Sequence, residues 1–173
     1  DTIPYNGEDC NAGSVVVMNP KNGDVYVSAS LPNYNLNTYS EDIALLSKDT
    51  KNTPLVNRAT SGLYEPGSTF KIITAAANVE EHLKGNTAAY SQTRIFSSSR
   101  TRAVDGTTVK CWNNHQNGKH SNQTLSEALN NSCNPCFTDI AMSLGKEKFY
   151  DYLSAFGFGQ KTGLDFSGEA YGL

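Results

Sequence analysis

Tyr64-Glu65-Pro66-Gly67-Ser68-Thr69-Phe70-Lys71 decides how the rest of the chain is read. It is a turn that runs straight into a helix carrying a serine and, three residues later, a lysine. Pro66 suits a helix start, and Gly67 lets another backbone approach closely. The segment from Thr69 to Val79 reads as a helix that is apolar nearly all round, hence buried. At an i, i+3 spacing the Ser68 and Lys71 side chains share one helical face. A hydroxyl needs a partner to take its proton, and a desolvated lysine can be neutral enough to do so. Ser68 and Lys71 are therefore the candidate nucleophile and base, and the helix N-terminus offers backbone N–H groups to an oxyanion.

The chain has 173 residues and a formal net charge of −3, which suits one domain or a large part of one. No basic run is present, which argues against a nucleic-acid partner. No apolar run approaches the roughly 18 residues of a membrane span, and no signal peptide opens the chain. Four cysteines, Cys10, Cys111, Cys133 and Cys136, are too few for a disulfide-built scaffold.

Outward from the motif, residues 1–13 read as an irregular lead-in. Ser14 to Met18 reads as a buried strand, followed by the turn Asn19-Pro20-Lys21-Asn22-Gly23 and a second strand from Asp24 to Ala29. The pair predicts an antiparallel hairpin over 14–30. A short helix is expected around Asp42 to Ser47, and the nucleophile helix spans 64–84. Residues 86–173 are expected to form a mostly helical subdomain with loops. Within it Asp105-Gly106 marks a tight hairpin turn, and Thr124-Leu125-Ser126-Glu127 is a capping box for a helix running to about Asn130. Pro135 breaks that helix and starts another, to Leu144 before Gly145. A last helix runs from Glu147 to Phe156.

A Ser-x-x-Lys pair alone is weak, and Ser143-Leu144-Gly145-Lys146 is a second copy; there Gly145 interrupts the helix between the two side chains. Ser132-Cys133-Asn134, in the predicted helix break, is more informative. The Ser132 hydroxyl could relay a proton, and the Asn134 amide can both donate and accept toward a substrate amide. The bland alternative is a pair of capping polar residues before Pro135.

Glu65 to Lys71, Ser132-Cys133-Asn134 and the hairpin from Gly13 to Ser30 together resemble the transpeptidase domain of class B penicillin-binding proteins, especially the sporulation and cell-division type. The resemblance implies an α+β, β-lactamase-like fold with an N-terminal β-hairpin and a helical subdomain. It also implies an acyl-serine D,D-transpeptidase of peptidoglycan cross-linking. Ser68 would be acylated by D-Ala-D-Ala stem peptides or by β-lactams, with Lys71 its base, Ser132 the proton relay and Asn134 a substrate ligand. Trp112 would flank the substrate groove, as an aromatic does in relatives; a partly buried structural tryptophan is the alternative. The parent would be membrane-anchored on the extracytoplasmic face of a bacterial cell, working with other cell-wall synthesis or division proteins. No cofactor is expected.

The family's third motif, Lys-Thr/Ser-Gly, is spelled by Lys161-Thr162-Gly163. That stretch, with Gly157-x-Gly159 before it and Gly168-Glu169 after it, instead resembles a separate loop segment of the family. The true third motif is then expected past Leu173, which makes the fold incomplete, this stretch by itself inactive, and the hairpin edge exposed.

Cys133-Asn134-Pro135-Cys136 imitates a redox Cys-x-x-Cys motif without its β-α-β context. Cys111, His115, His120, Cys133 and Cys136 fit no tight zinc spacing, so no metal is assigned. Cys111 and Cys133, or Cys136, are a candidate redox pair that would lock the wall of the site in an oxidising compartment. Two rivals remain: a β-lactam sensor or non-catalytic scaffold module, and a class D-like β-lactamase, disfavoured because Asn134 stands at its Ser-x-Val position.

Overall fold

The computed structural model describes residues 3–5, 8–10, 12–97, 99–112 and 120–172. Its contacts separate Asp1–Tyr64 with Lys161–Leu173 from Glu65–Gln160.

In the first unit, strands β1 (Ile3–Tyr5) and β2 (Glu8–Cys10) pair antiparallel. This corrects the irregular lead-in: three-residue strands are too short to show a period-2 pattern. Strands β3 (Gly13–Met18) and β4 (Val25–Leu31) form the expected hairpin, with Val15 opposite Ala29 and Val17 opposite Val27. Gly23 turns it with φ 82 and donates to the Asn19 carbonyl. The expectation that Ser14 to Met18 is buried fails, since Val15 to Met18 are exposed. A two-stranded ribbon has no second layer able to cover both its faces.

Helix α1 (Tyr39–Leu46) lies close to the span expected for it. The one-turn helix α2 (Arg58–Ser61), capped by the Asn57 side chain, was not anticipated. Its Arg58 N–H donates to Ser30 Oγ, which donates to the Val56 carbonyl, tying α2 to β4. Lys161-Thr162-Gly163 lies in a loop, where Thr162 N–H donates to Glu169 Oε1. Ala170 N–H donates to the Thr60 carbonyl, fastening that loop to α2.

In the second unit a 3-10 turn (Gly67–Phe70) leads directly into α3 (Lys71–Leu83). β5 (Thr101–Val104) and β6 (Thr107–Lys110) form a hairpin turned by Asp105-Gly106, both at positive φ, as a two-residue type I′ loop requires. Three helices follow: α4 (Leu125–Asn130), α5 (Asn134–Leu144) and α6 (Lys146–Ala155). The predicted capping box is present in full, Thr124 and Glu127 each satisfying the other's backbone N–H. The core joins Ala77 of α3, Leu125 and Ala128 of α4, and Cys136, Phe137, Ile140 and Leu144 of α5.

Helix α3 is not apolar all round. Ile72 and Leu83 are exposed, whereas Lys71, Thr74, Asn78 and Glu81 are buried. These four recur at helical spacing, so the inward face carries a polar stripe. Buried polar groups need partners, and the stripe has them. Asn78 exchanges two 2.8 Å hydrogen bonds with the Tyr90 backbone, and Glu81 accepts from Tyr152 Oη and Asn86 Nδ2.

Candidate active site

The site begins with a local backbone requirement. Gly67 has φ 55, and an added Cβ would meet nothing within 4 Å. Conformation, not space, therefore calls for glycine at this position. Pro66 precedes it with φ −67, and Lys71 continues in right-handed helical geometry, so the tight turn flows into α3. Ser68 stands exposed on that turn while Lys71 points inward and is buried.

The break between α4 and α5 supplies the opposite wall. Ser132 takes φ 50, a left-handed conformation. This strained turn directs both its hydroxyl and its carbonyl at Lys71: the Lys71 Nζ donates to Ser132 Oγ at 2.9 Å and to Ser132 O at 3.0 Å. It also contacts Ser68 Oγ at 3.0 Å and Asn134 Oδ1 at 2.6 Å. Ser132 Oγ in turn donates to Ser68 Oγ at 2.8 Å. Ser68, Lys71 and Ser132 thus close a triangle of side chains, each within hydrogen-bond reach of the other two.

An ammonium has three protons for these four oxygens, whereas a neutral amine has two protons and a lone pair that can accept from Ser68. Burial lowers the Lys71 pKa below its ordinary value of 10.5, while the sulfurs of Cys133 and Cys111 pull it back up. The Phe137 ring lies 5.9 Å from Nζ.

Asn134 is oriented by both ends of its amide, since Oδ1 accepts from Lys71 and Nδ2 donates to the Lys110 carbonyl at 2.9 Å. One N–H of the amide is left for another acceptor. The hairpin end that provides Lys110 is joined to α5 by Arg102 Nε, 2.7 Å from Asp139 Oδ1. Beside Lys71 and Asn134 a groove of about 390 Å³ opens, with Phe70, Phe137, Met142 and Phe149 in its walls.

Trp112 is exposed and donates through Nε1 to the Asn131 carbonyl at 2.9 Å, one residue before Ser132. Its ring meets His120 edge-on at 5.5 Å. The structure therefore brings together Ser68, Lys71, Ser132 and Asn134 and sets Trp112 on the neighbouring backbone. Ser143 of the second Ser-x-x-Lys donates to the Ala88 carbonyl, a structural use.

The ligand atoms of Cys111, His120 and Cys133, all buried, lie within 4.8 Å of one another, and Cys111 Sγ is 3.4 Å from His120 Nδ1. These are donor types a thiophilic cation takes. Sequence spacing hid the group, because loop folding rather than a short repeat assembles it. His115 lies outside the described residues, and Cys136 instead meets Gln123 Nε2 at 3.6 Å.

Residues 13–173 match the family model "Penicillin binding protein transpeptidase domain". Stage V sporulation protein D of Bacillus subtilis is 41% identical over 159 residues, covering 91% of this chain and 22% of that protein. Peptidoglycan D,D-transpeptidase PbpA of Mycolicibacterium smegmatis is 35% identical, covering 84% of this chain and 30% of its own length. Penicillin-binding protein A of M. tuberculosis, solved as an imipenem acyl-enzyme complex, superposes with a TM-score of 0.71 at 28% identity, over 86% of this chain and 34% of its own. The chain thus spans less than a third of the length of these two curated relatives.

Proposed function

The chain belongs to the penicillin-binding protein transpeptidase domain family, and from that premise we propose that Ser68 is the nucleophile of an acyl-serine D,D-transpeptidase acting in peptidoglycan cross-linking. The observation that carries this is the closed triangle of Ser68 Oγ, Lys71 Nζ and Ser132 Oγ, with contacts of 3.0, 2.9 and 2.8 Å. A lysine without charge takes the Ser68 proton as Oγ attacks the carbonyl carbon of a D-Ala-D-Ala stem peptide. Ser132, bridging the two, passes a proton to the departing D-alanine amine, leaving an acyl-serine. An amine from a second stem then attacks the ester carbonyl and gives up its proton by the same route, releasing Ser68. The remaining N–H of Asn134 holds a substrate amide carbonyl beside this path.

A β-lactam enters the same chemistry when Ser68 opens its four-membered ring, and the ring nitrogen takes the relayed proton. A role in peptidoglycan cross-linking, supported by relatives named as peptidoglycan D,D-transpeptidases, puts the proposed working site of the domain outside the cytoplasm, in an oxidising compartment. No helix among the described residues is long and apolar enough to cross a membrane. In that oxidising setting Cys111 and Cys133 form a disulfide when a thiol oxidant removes their two protons and two electrons, which moves the wall that carries Ser132.

The deciding test labels the full-length protein with a fluorescent penicillin. Label on Ser68 that survives in wild type and vanishes in Ser68→Ala supports transpeptidation; a scaffold module takes no label at all. Rapid release of the label would identify a β-lactamase instead, because a transpeptidase stays acylated.

A further inference from the structure

Ser132 contributes to the triangle only because its backbone sits in the left-handed region, a conformation that side-chain-bearing residues hold only when their surroundings impose it. The turn's own bonds, Ser132 N–H to the Leu129 carbonyl and Cys133 N–H to the Ala128 carbonyl, close the end of α4 without reaching the rest of the unit. Besides the Lys71 bonds to the Ser132 carbonyl and hydroxyl, a second external grip falls on the preceding residue. Asn131 Nδ2 donates to Gln123 Oε1 at 2.8 Å, and the Asn131 carbonyl accepts from Trp112.

Gln123 is 1% exposed and fixed on every side. Its backbone exchanges hydrogen bonds with Phe96 in both directions. Its Nε2 donates to the His120 carbonyl at 2.8 Å and reaches Cys136 Sγ at 3.6 Å. With Nε2 committed to a carbonyl, the amide cannot flip, so Oε1 must face Asn131. A methionine fills similar volume in a core, yet its thioether would offer Asn131 only a weak acceptor in place of the amide oxygen.

We propose that Gln123 is a positioning residue for acyl transfer, acting through Asn131 to hold the Ser132 turn against Ser68 and Lys71. The inference rests on the reading of Ser68 as nucleophile. Gln123 touches neither substrate nor the reacting atoms, so its loss slows the chemical step while leaving the groove that receives the ligand.

Stopped-flow acylation of the full-length protein by a penicillin separates non-covalent binding from the acylation step. Gln123→Met is expected to lower the acylation rate constant about tenfold with the dissociation constant changed less than about twofold, the signature of a lost transition-state arrangement. Asn131→Ala should show a similar split. The double variant should fall no further than the worse single, because both changes remove the same link. Folded single variants that acylate at the wild-type rate overturn the proposal, as does a double variant whose losses multiply. If Gln123→Met does not fold, Asn131→Ala decides alone, and an unchanged rate there refutes the role. No label on Ser68 in the wild type would instead defeat the transpeptidase reading, and the positioning role with it.

Discussion

Ser132 Oγ donates a 2.8 Å hydrogen bond to Ser68 Oγ across 64 residues of sequence. The proposed nucleophile is therefore held from two directions, by the lysine on its own helix and by a hydroxyl from the break between α4 and α5. Removing that hydroxyl separates its two duties. Ser132→Ala keeps the backbone and should cut acylation of Ser68 by a β-lactam by about 10²-fold, the low end for proton-transfer groups. Ser132→Gly should be equally slow yet more stable than Ser132→Ala by about 1 kcal/mol, because glycine relieves the left-handed backbone. Acylation kinetics and thermal melts on the two variants check this; equal melting temperatures would show that φ 50 is not strained.

The buried Lys71 predicts the pH dependence. Its lowered pKa means that the ammonium form predominates at low pH, and acylation should rise as pH climbs through a folded value below 10.5. Lys71→Arg stays charged and should lose this rise along with most activity. The same shift fixes a stability sign. Between the folded pKa and 10.5 the unfolded chain binds more protons, so wild-type stability increases with pH there, and the destabilisation is fully present only below the folded value. Melting temperatures of wild type and Lys71→Met, compared across that window, read this directly; a constant difference would contradict it.

At the start of α4, Thr124→Ala should cost about 1 kcal/mol, as loss of a helix cap does. Hydrogen bonds from the Thr124 backbone and side chain lower the Glu127 pKa from its ordinary 4.5. The contribution of Glu127 is therefore present above 4.5 and lost as pH falls through the lower folded value. Denaturant titrations at neutral and acidic pH should show wild type converging on Glu127→Gln as the carboxylate protonates.

Cys111 and Cys133 hold their sulfurs within 4.8 Å of each other, and a disulfide needs about 2.05 Å. Oxidation by diamide should therefore draw Cys133 inward and displace Ser132 and Asn134 on either side of it. The expected readouts are a Cys111–Cys133 peptide pair in non-reducing mass spectrometry, loss of penicillin labelling, and recovery with dithiothreitol. Cys111→Ser should label normally with or without oxidant. Labelling of the wild type unaffected by diamide, with the bridge formed, would remove the proposed control.

Local features were legible where a few adjacent residues settle the geometry. The Asp105-Gly106 hairpin, the Thr124 to Glu127 capping box and the helix break before Pro135 each follow from the preferences of neighbours in sequence. Helix α3 was misread because composition showed its apolar residues, whereas the 3-4-3 spacing of Lys71, Thr74, Asn78 and Glu81 carried the information about its buried side. The hairpin over β1 and β2 was missed because three-residue strands have no readable period. Gln123 had no signal in sequence: a glutamine in a polar loop looks solvated until folding buries it under Phe96, His120 and Cys136.

The sequence by itself determined that Ser68 and Lys71 share a face, since residues i and i+3 of a helix are neighbours whatever surrounds them. It also determined, through Gly67 and Pro66, that a tight turn presents the serine. Only the tertiary structure decided that Lys71 is buried, that Ser132 and Asn134 reach it, and that Trp112 and Gln123 grip the residue before Ser132. Those contacts join positions tens of residues apart, and they exist because α3, α4 and α5 bury one common core. No local propensity encodes how distant segments meet; the packing of that core does.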